Sequence, residues 1–200
     1  IDTFSNSASG SSIVTQGQAV TVWGLFRDPG TLDAHTATLD WGDGTIEEIN
    51  PDGSVEGSYV ITGSHVFAQG GVYPITLNIV DADGGSAAST SSANIIGTGV
   101  HNGTLQIVGT PGNDQVRVER LGGGILITSD TLPLSRELLD ASAVTLVQIL
   151  LREGDDVIDI AALDLGVAVD GGPGSDLLNV VGGSDSDFID VDWDTTLTQL

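Results

Sequence analysis

The chain contains no cysteine, no methionine and no lysine. Without cysteine there are no disulfides, no thiol nucleophile and no zinc–thiolate site. Without lysine there is no amine nucleophile and no lysine–asparagine isopeptide cross-link. Aromatic residues make up only 4% of the 200 residues, too few for a sugar-stacking cleft. No apolar run approaches the roughly 18 residues that suggest a membrane-spanning helix. Membrane insertion is therefore not expected. All five basic residues are arginine and they form no patch. Nothing is available to neutralise a row of phosphates, so nucleic acid is not expected as a partner. The chain opens on Ile1 and has no Met, which suggests a processed piece, or a part, of something longer.

Aspartate is what the chain has in excess. It supplies 22 of the 28 acidic residues, and the net charge is −23. Aspartate is unfavourable in helices and strands but favoured in turns. The charge should therefore concentrate in loops, where clustered carboxylates suit a hard cation. A bound divalent cation would also relieve self-repulsion that opposes compaction. A merely solubilising acidic surface is the simpler alternative.

Residues 1–12 are small, polar and rich in Gly and Ser, and read as a linker. From residue 13 to 98 short β runs are separated by turn residues. The clearest are 19–26, 35–41, 58–67 and 72–80. In the last, Tyr73, Ile75, Leu77 and Ile79 alternate with Pro74, Thr76 and Asn78, the period of a strand with one buried face. Turn signals stand at 42–44, 51–53 and 83–85. This pattern predicts a two-sheet sandwich. Residues 86–92 (SAASTSS) read as a solvated edge or a tether. Beyond a boundary at 97–103, glycine and aspartate recur together inside apolar runs, and 99–200 reads as a second β domain. Within 135–151 the first half suits a helical turn and the β-branched second half a strand.

Two segments carry a resemblance to a known family. FRDPGTLDAHTATLDWGDGT (26–45) has a Trp-Gly-Asp-Gly turn after a strand. HVFAQGGVYPITLNIVDADGG (65–85) has His-x-aromatic, Gly-x-Tyr, an alternating strand and a closing Asp-rich turn. Together they resemble the PKD family of immunoglobulin-like modules. The resemblance implies an immunoglobulin-like β-sandwich, typical of spacers and contact units in secreted and cell-surface proteins. Trp41 and Tyr73 are expected as core anchors, Asp43 as the cap of its own turn, and His65 as a core or turn residue. Asp28 and Asp33 follow one strand, Asp81 and Asp83 another. Several related modules bind calcium where such loops meet, so these four aspartates are candidate ligands beside the reading of four independent turn residues.

In the second region, GGPGSDLLN (171–179) matches the pattern G-G-x-G-x-D-x-U-x, with U a large apolar residue. GGSDSDFID (182–190), GTPGNDQVR (109–117) and LREGDDVID (151–159) match it in part. The pattern resembles the calcium-binding parallel β-roll of RTX proteins. Glycines permit positive φ and close approach, aspartates and carbonyls supply hard oxygens, and the U residue starts a strand pointing inward. The implied ligands are Gly112, Asp114, Gly154, Asp155, Asp156, Gly172, Gly174, Asp176, Asp185 and Asp187. The key aspartates 114, 156, 176 and 187 are separated by 42, 20 and 11 residues. With coils of about 18 residues, these gaps read as two coils, one enlarged coil and half a coil. Calcium is then best placed between the 154–156 and 174–176 turns. The coil passing through Leu134–Ser135 would lack a glycine–aspartate turn and its metal. An irregular parallel β-solenoid follows, with aspartates that merely cap turns as the metal-free alternative.

Catalytic signatures are few. His35, His65 and His101 have no metalloprotease spacing, and no G-x-S-x-G elbow occurs. Carboxylate pairs are plentiful, so a glycosidase-like pair remains open on residue type alone. Asn102-Gly103-Thr104 is a glycosylation sequon. The reading is an all-β, non-enzymatic, extracellular, calcium-binding segment of a large secreted or cell-surface protein. Its expected partners are other surface proteins or copies of itself, up to a homo-oligomer, filament or surface layer. The alternative is a non-catalytic accessory region of a secreted hydrolase.

Overall fold

The computed structural model describes residues 1–28, 34–55, 57–182 and 189–192, with 52–55 and 189–192 as backbone only. The chain divides into two compact units. One comprises Ile1–Ala68 and Val72–Ile95, the other Gln69–Gly71 and Ile96–Leu200.

The first unit contains β1 (Thr3–Asn6), β2 (Ala19–Arg27), β3 (His35–Asp40), β4 (Ile46–Ile49), β5 (Asp52–Val55), β6 (Ser58–Val66), β7 (Gly71–Asp81) and β8 (Ser86–Ile95). They form two four-stranded sheets, β1-β2-β6-β5 and β4-β3-β7-β8. The registered pairs β1–β2, β2–β6, β5–β6, β3–β4 and β3–β7 are all antiparallel. This all-β arrangement is that of an immunoglobulin-like sandwich. Alternation does the sorting. Along β2, Val20, Val22 and Phe26 are buried, and along β7 Tyr73, Ile75, Leu77 and Ile79. Pro74 lies outside the β3–β7 register, which ends at Thr76, so its missing amide removes no bond from that pairing. Trp41 and Tyr73 are core residues, as expected. Residues 86–92 form the start of β8, an edge strand of its sheet. The expected linker, 1–12, is different. Thr3–Asn6 pairs with β2 from Leu25 to Val22, the Asn6 carboxamide bonds to Ser91 and Ser92, and Ala8 is fully buried. A Ser/Gly-rich composition hid a strand whose hold is mostly backbone.

The second unit contains β9 (Gly97–His101), β10 (Thr104–Val108), β11 (Gln115–Leu121), β12 (Gly124–Ser129) and β13 (Arg136–Asp140). A single 3-10 turn (Ala141–Ala143) leads to β14 (Leu146–Leu150), β15 (Val157–Ala161), β16 (Gly166–Asp170), β17 (Leu177–Val181) and β18 (Ile189–Asp192). Two five-stranded sheets result, β18-β16-β14-β10-β9 and β13-β12-β11-β15-β17. The pairs β10–β14, β14–β16 and β16–β18 are parallel, as are β11–β15 and β15–β17. From β14 onward the chain passes alternately between the sheets, one circuit per pair of strands. The two sheets close over Leu105, Ile107, Val116, Val118, Val147, Ile149, Ile158, Ile160, Val167 and Val169. Val116 and Ile158 thus point inward as the glycine–aspartate pattern requires, and Leu178 packs on the same core.

The sheets are mixed, which corrects the reading of the 42-residue gap. No coil passes through Leu134–Ser135 as a separate layer. Instead β11, β12 and β13 form an antiparallel meander, and β11 pairs directly with β15, Val116 opposite Ile158. The 42 residues are one circuit enlarged by a hairpin. Leu121-Gly122-Gly123-Gly124 between two β-prone runs is the turn signal that marks it.

Trp41 is 1% exposed between the sheets of the first unit. Trp41→Ala is expected to cost about 3–5 kcal/mol in that unit, measured by chemical denaturation. Amide-exchange protection of β14–β17 should be unchanged.

Candidate metal centres

Two places gather the predicted ligands. In the second unit the turns before β11, β15 and β17 lie over one another, held by amide-to-carboxylate bonds. The Asp114 amide donates to Asp156 Oδ1 at 2.7 Å, and the Asp156 amide donates to Asp176 Oδ1 at 2.9 Å. A second column runs the other way. The Ser175 amide donates to Asp155 Oδ1 at 2.9 Å, and the Asp155 amide to Asn113 Oδ1 at 3.0 Å. Asp114 also accepts from the Thr110 amide at 2.7 Å and from its hydroxyl at 3.1 Å. Asp155, Asp156 and Asp176 therefore each cap a turn in a neighbouring circuit, whereas Asp114 caps its own.

The glycines have an equally local cause. A Cβ on Gly174 would collide with the Gly154 carbonyl, and one on Gly172 with the Arg152 carbonyl. A Cβ on Gly154 would come within 2.7 Å of the Gly112 carbonyl. Backbone lies against backbone, and the absent side chain is what permits it. Gly112 itself has ordinary room, its nearest neighbour being Thr110 Oγ1 at 3.8 Å. The glycine–aspartate pattern is thus satisfied by stacking of turns before any metal is considered.

One atom is left over. Asp156 is fully buried, and its Oδ2 has no hydrogen-bond partner. Burial pushes its carboxyl up to about 6. The bond from the Asp114 amide opposes that rise, while the negative charges of Asp114, Asp176 and Asp155 add to it. These carboxylates and the adjoining turn carbonyls are hard oxygen donors of the type calcium takes. Asp185 and Asp187 lie outside the described residues.

In the first unit, Asp28 follows β2, His35 opens β3 and Asp81 ends β7. His35 stands opposite Asp81 in the β3–β7 register. One ligand atom from each of the three lies within 4.8 Å of the other two. Among the described residues this is the group of three His or acidic side chains that converges so closely. His35 Nε2 is 2.6 Å from Asp28 Oδ2, and the ring is held against Phe26 and Tyr59 at centroid distances of 5.2 and 4.6 Å. The expected aspartates 28 and 81 do meet. Asp83 does not join them; its amide donates to Asp81 Oδ1 at 3.3 Å within the turn. Asp33 lies outside the described residues. His35 was not foreseen, because only strand register brings it to a carboxylate 46 positions away in the chain.

A second histidine–aspartate pair provides a comparison. His65 Nε2 lies 2.7 Å from Asp43 Oδ2 and its ring stacks on Trp41 at 5.0 Å. Asp43 Oδ1 also accepts from the Thr45 amide at 3.0 Å. Burial pushes the Asp43 carboxyl up, but the bonds from His65 and Thr45 outweigh it and hold it below the usual carboxylate range. The expected turn cap is there, with an imidazole added.

Comparison with known proteins bears on the first unit. Residues 5–96 match the family model described as the PKD domain. Such domains are typical of extracellular and surface proteins of bacteria. The match stops short of the glycine–aspartate turns, and nothing identifies these as RTX repeats. A comparison with curated proteins gives no match. Among the described residues no helix is long and apolar enough to cross a membrane.

Two outcomes follow for the stacked turns. Gly174→Ala must push the 174 turn off the 154 turn, and is expected to lower the stability of the second unit by about 2 kcal/mol or more. Chemical denaturation checks it. In calcium-free buffer, Asp156 with a folded value of about 6 and an unfolded value near 3.8 binds more protons when folded. Stability should therefore fall as pH rises from about 4 to about 6 and level off above, by about 3 kcal/mol in total. Asp156→Asn keeps the Oδ1 acceptor and should flatten that slope.

Proposed function

We propose that this chain is a non-enzymatic structural or adhesive segment of a secreted or cell-surface protein. In this reading the PKD domain is its spacer or contact unit, and the stacked circuits of the second unit form an irregular parallel β-solenoid stiffened by calcium. The observation that carries the calcium reading is the buried, unpartnered Oδ2 of Asp156 beside three further aspartates. A protein with a net charge of −23 gains from any cation that removes this repulsion, and the 154–156 and 174–176 turns offer carboxylates and carbonyls together. Asp156 then stays ionised instead of taking up a proton. The partner is another surface protein or a second copy of the chain, and exposed Leu177, Val180 and Val181 on β17 support an apolar contact there.

A thermal melt of the chain in calcium against chelator tests this. Binding to the folded form alone must raise the midpoint, by an amount worth about 2.7 kcal/mol at a hundredfold excess over the dissociation constant. Asp176→Ala should remove most of the rise, because it takes away both a ligand and the acceptor for the Asp156 amide. No shift at millimolar calcium would overturn the reading.

A further inference from the structure

We propose that the outer face of the β1-β2-β6-β5 sheet, centred on Trp23, binds a neutral polysaccharide whose sugar rings stack on the indole. This deepens the reading of the first unit as a contact unit and rests on that part of it alone. Of the two tryptophans among the described residues, Trp41 is 1% exposed in the core and Trp23 is 49% exposed. Strand alternation sets the difference. Val20, Val22 and Phe26 face the core, so Thr21, Trp23 and Leu25 face outward. The Trp23 ring packs on no other aromatic ring of the described residues. One broad apolar ring is thus presented to solvent on an open sheet face.

The surroundings of the ring are the second observation. Register places Ser5 on one side of Trp23 and Thr62 on the other. The neighbouring rows bring Thr21 beside Ser64, and Leu25 between Thr3 and Val60. The hydroxyls of Thr3, Ser5, Thr21, Thr62 and Ser64 make no hydrogen bond among the described residues. Each is both a donor and an acceptor. A dry apolar partner would bury them unmet, which is unfavourable. A ligand that is itself dense in hydroxyls pairs with them while its C–H face covers the indole.

Charge narrows the ligand further. β1, β2 and β6 contain no acidic residue, in a chain with a net charge of −23. Their one formal charge, Arg27, is held 3.1 Å from Asp2. The acidic position that the sheet does hold, Asp52 on β5, pairs with Val60 and lies two strands from Trp23. A neutral patch suits a neutral ligand, and the acidic remainder of the chain repels an anionic one. A polysaccharide with equatorial linkages, such as a β-1,4-linked glucan, mannan or xylan, is a ribbon that can lie along the sheet with one ring face on the indole. This platform needs a single ring, so the low aromatic content that argues against a cleft does not oppose it.

Electrophoresis of the full chain through native gels containing hydroxyethylcellulose, galactomannan or arabinoxylan tests this, with polygalacturonate as the anionic comparison. Retardation by at least one neutral polymer is expected, and none by polygalacturonate. Trp23→Ala should weaken the binding about tenfold or more, read from mobility against polymer concentration. Thr62→Val keeps the shape and removes one hydroxyl, and should weaken it about two- to tenfold. It remains informative if Trp23→Ala fails to fold. Leu138→Ala, at an exposed site of the second unit, should leave binding unchanged. The retardation should be equal in calcium and in chelator, which separates this site from the calcium reading. Absence of retardation by all three neutral polymers, retardation that survives Trp23→Ala, equal retardation by polygalacturonate, or a Trp23-dependent dimer in sedimentation without polymer would each overturn the proposal.

Discussion

The bond from the Asp114 amide to the Asp156 carboxylate, repeated from the Asp156 amide to Asp176, is the constraint on which the second unit depends. It fixes the vertical register of three turns at once. Once those turns coincide, Val116, Ile158 and Leu178 are aligned, and the strands that start there pair in parallel without a bulge. Side-chain ladders follow the same register, from Gln106 to Gln148 at 3.0 Å and from Asn179 to Asp159 at 2.8 Å. The cost is electrostatic. Carboxylates must lie near one another in a column, and the one in the middle is fully buried. The same geometry that sets the register therefore creates the strongest local demand for a proton or a cation.

The first unit is organised differently. Its sheets are held by alternation and by aromatic packing, and Phe67 and Tyr73 stack at 4.2 Å beside Trp41 and His65. Two histidines each rest on aromatic rings and face a carboxylate. At His65 the arrangement is complete as a turn cap. At His35 a second acid, Asp81, stands close by and one ring nitrogen has no partner, so the same pair carries an unmet requirement.

Much of this was legible in the sequence where side chains alone decide the outcome. β2, β6 and β7 follow from period-two alternation, because burial of one face is enough to specify them. The inward direction of Val116 and Ile158 follows from the glycine–aspartate pattern for the same reason. What escaped depended on backbone pairing or long-range register. β1 is a strand because its amides meet β2, and its side chains carry little signal. Chain distance counted in coils gives no sign that the Asp114 turn stacks directly on the Asp156 turn. The steric need for Gly172 and Gly174, set by the carbonyls of Arg152 and Gly154 in the neighbouring circuit, is likewise not written in the local motif. His35 and Asp81 share a register position that no local motif encodes.

The meander of β11, β12 and β13 also bears on how the second unit assembles. Its pairings close loops of a few residues, between Leu121 and Gly124 and between Thr128 and Arg136. The parallel pairs must close 42 or 20 residues before gaining any contact. Short loops lose less chain entropy and form faster. The hairpin that interrupts the stack, like the β9–β10 hairpin of the same unit, is therefore a local pairing favoured to form ahead of the circuits. It presents a finished β11 edge on which β15 and then β17 can be laid in sequence, so the irregularity in the repeat gives folding a defined starting end.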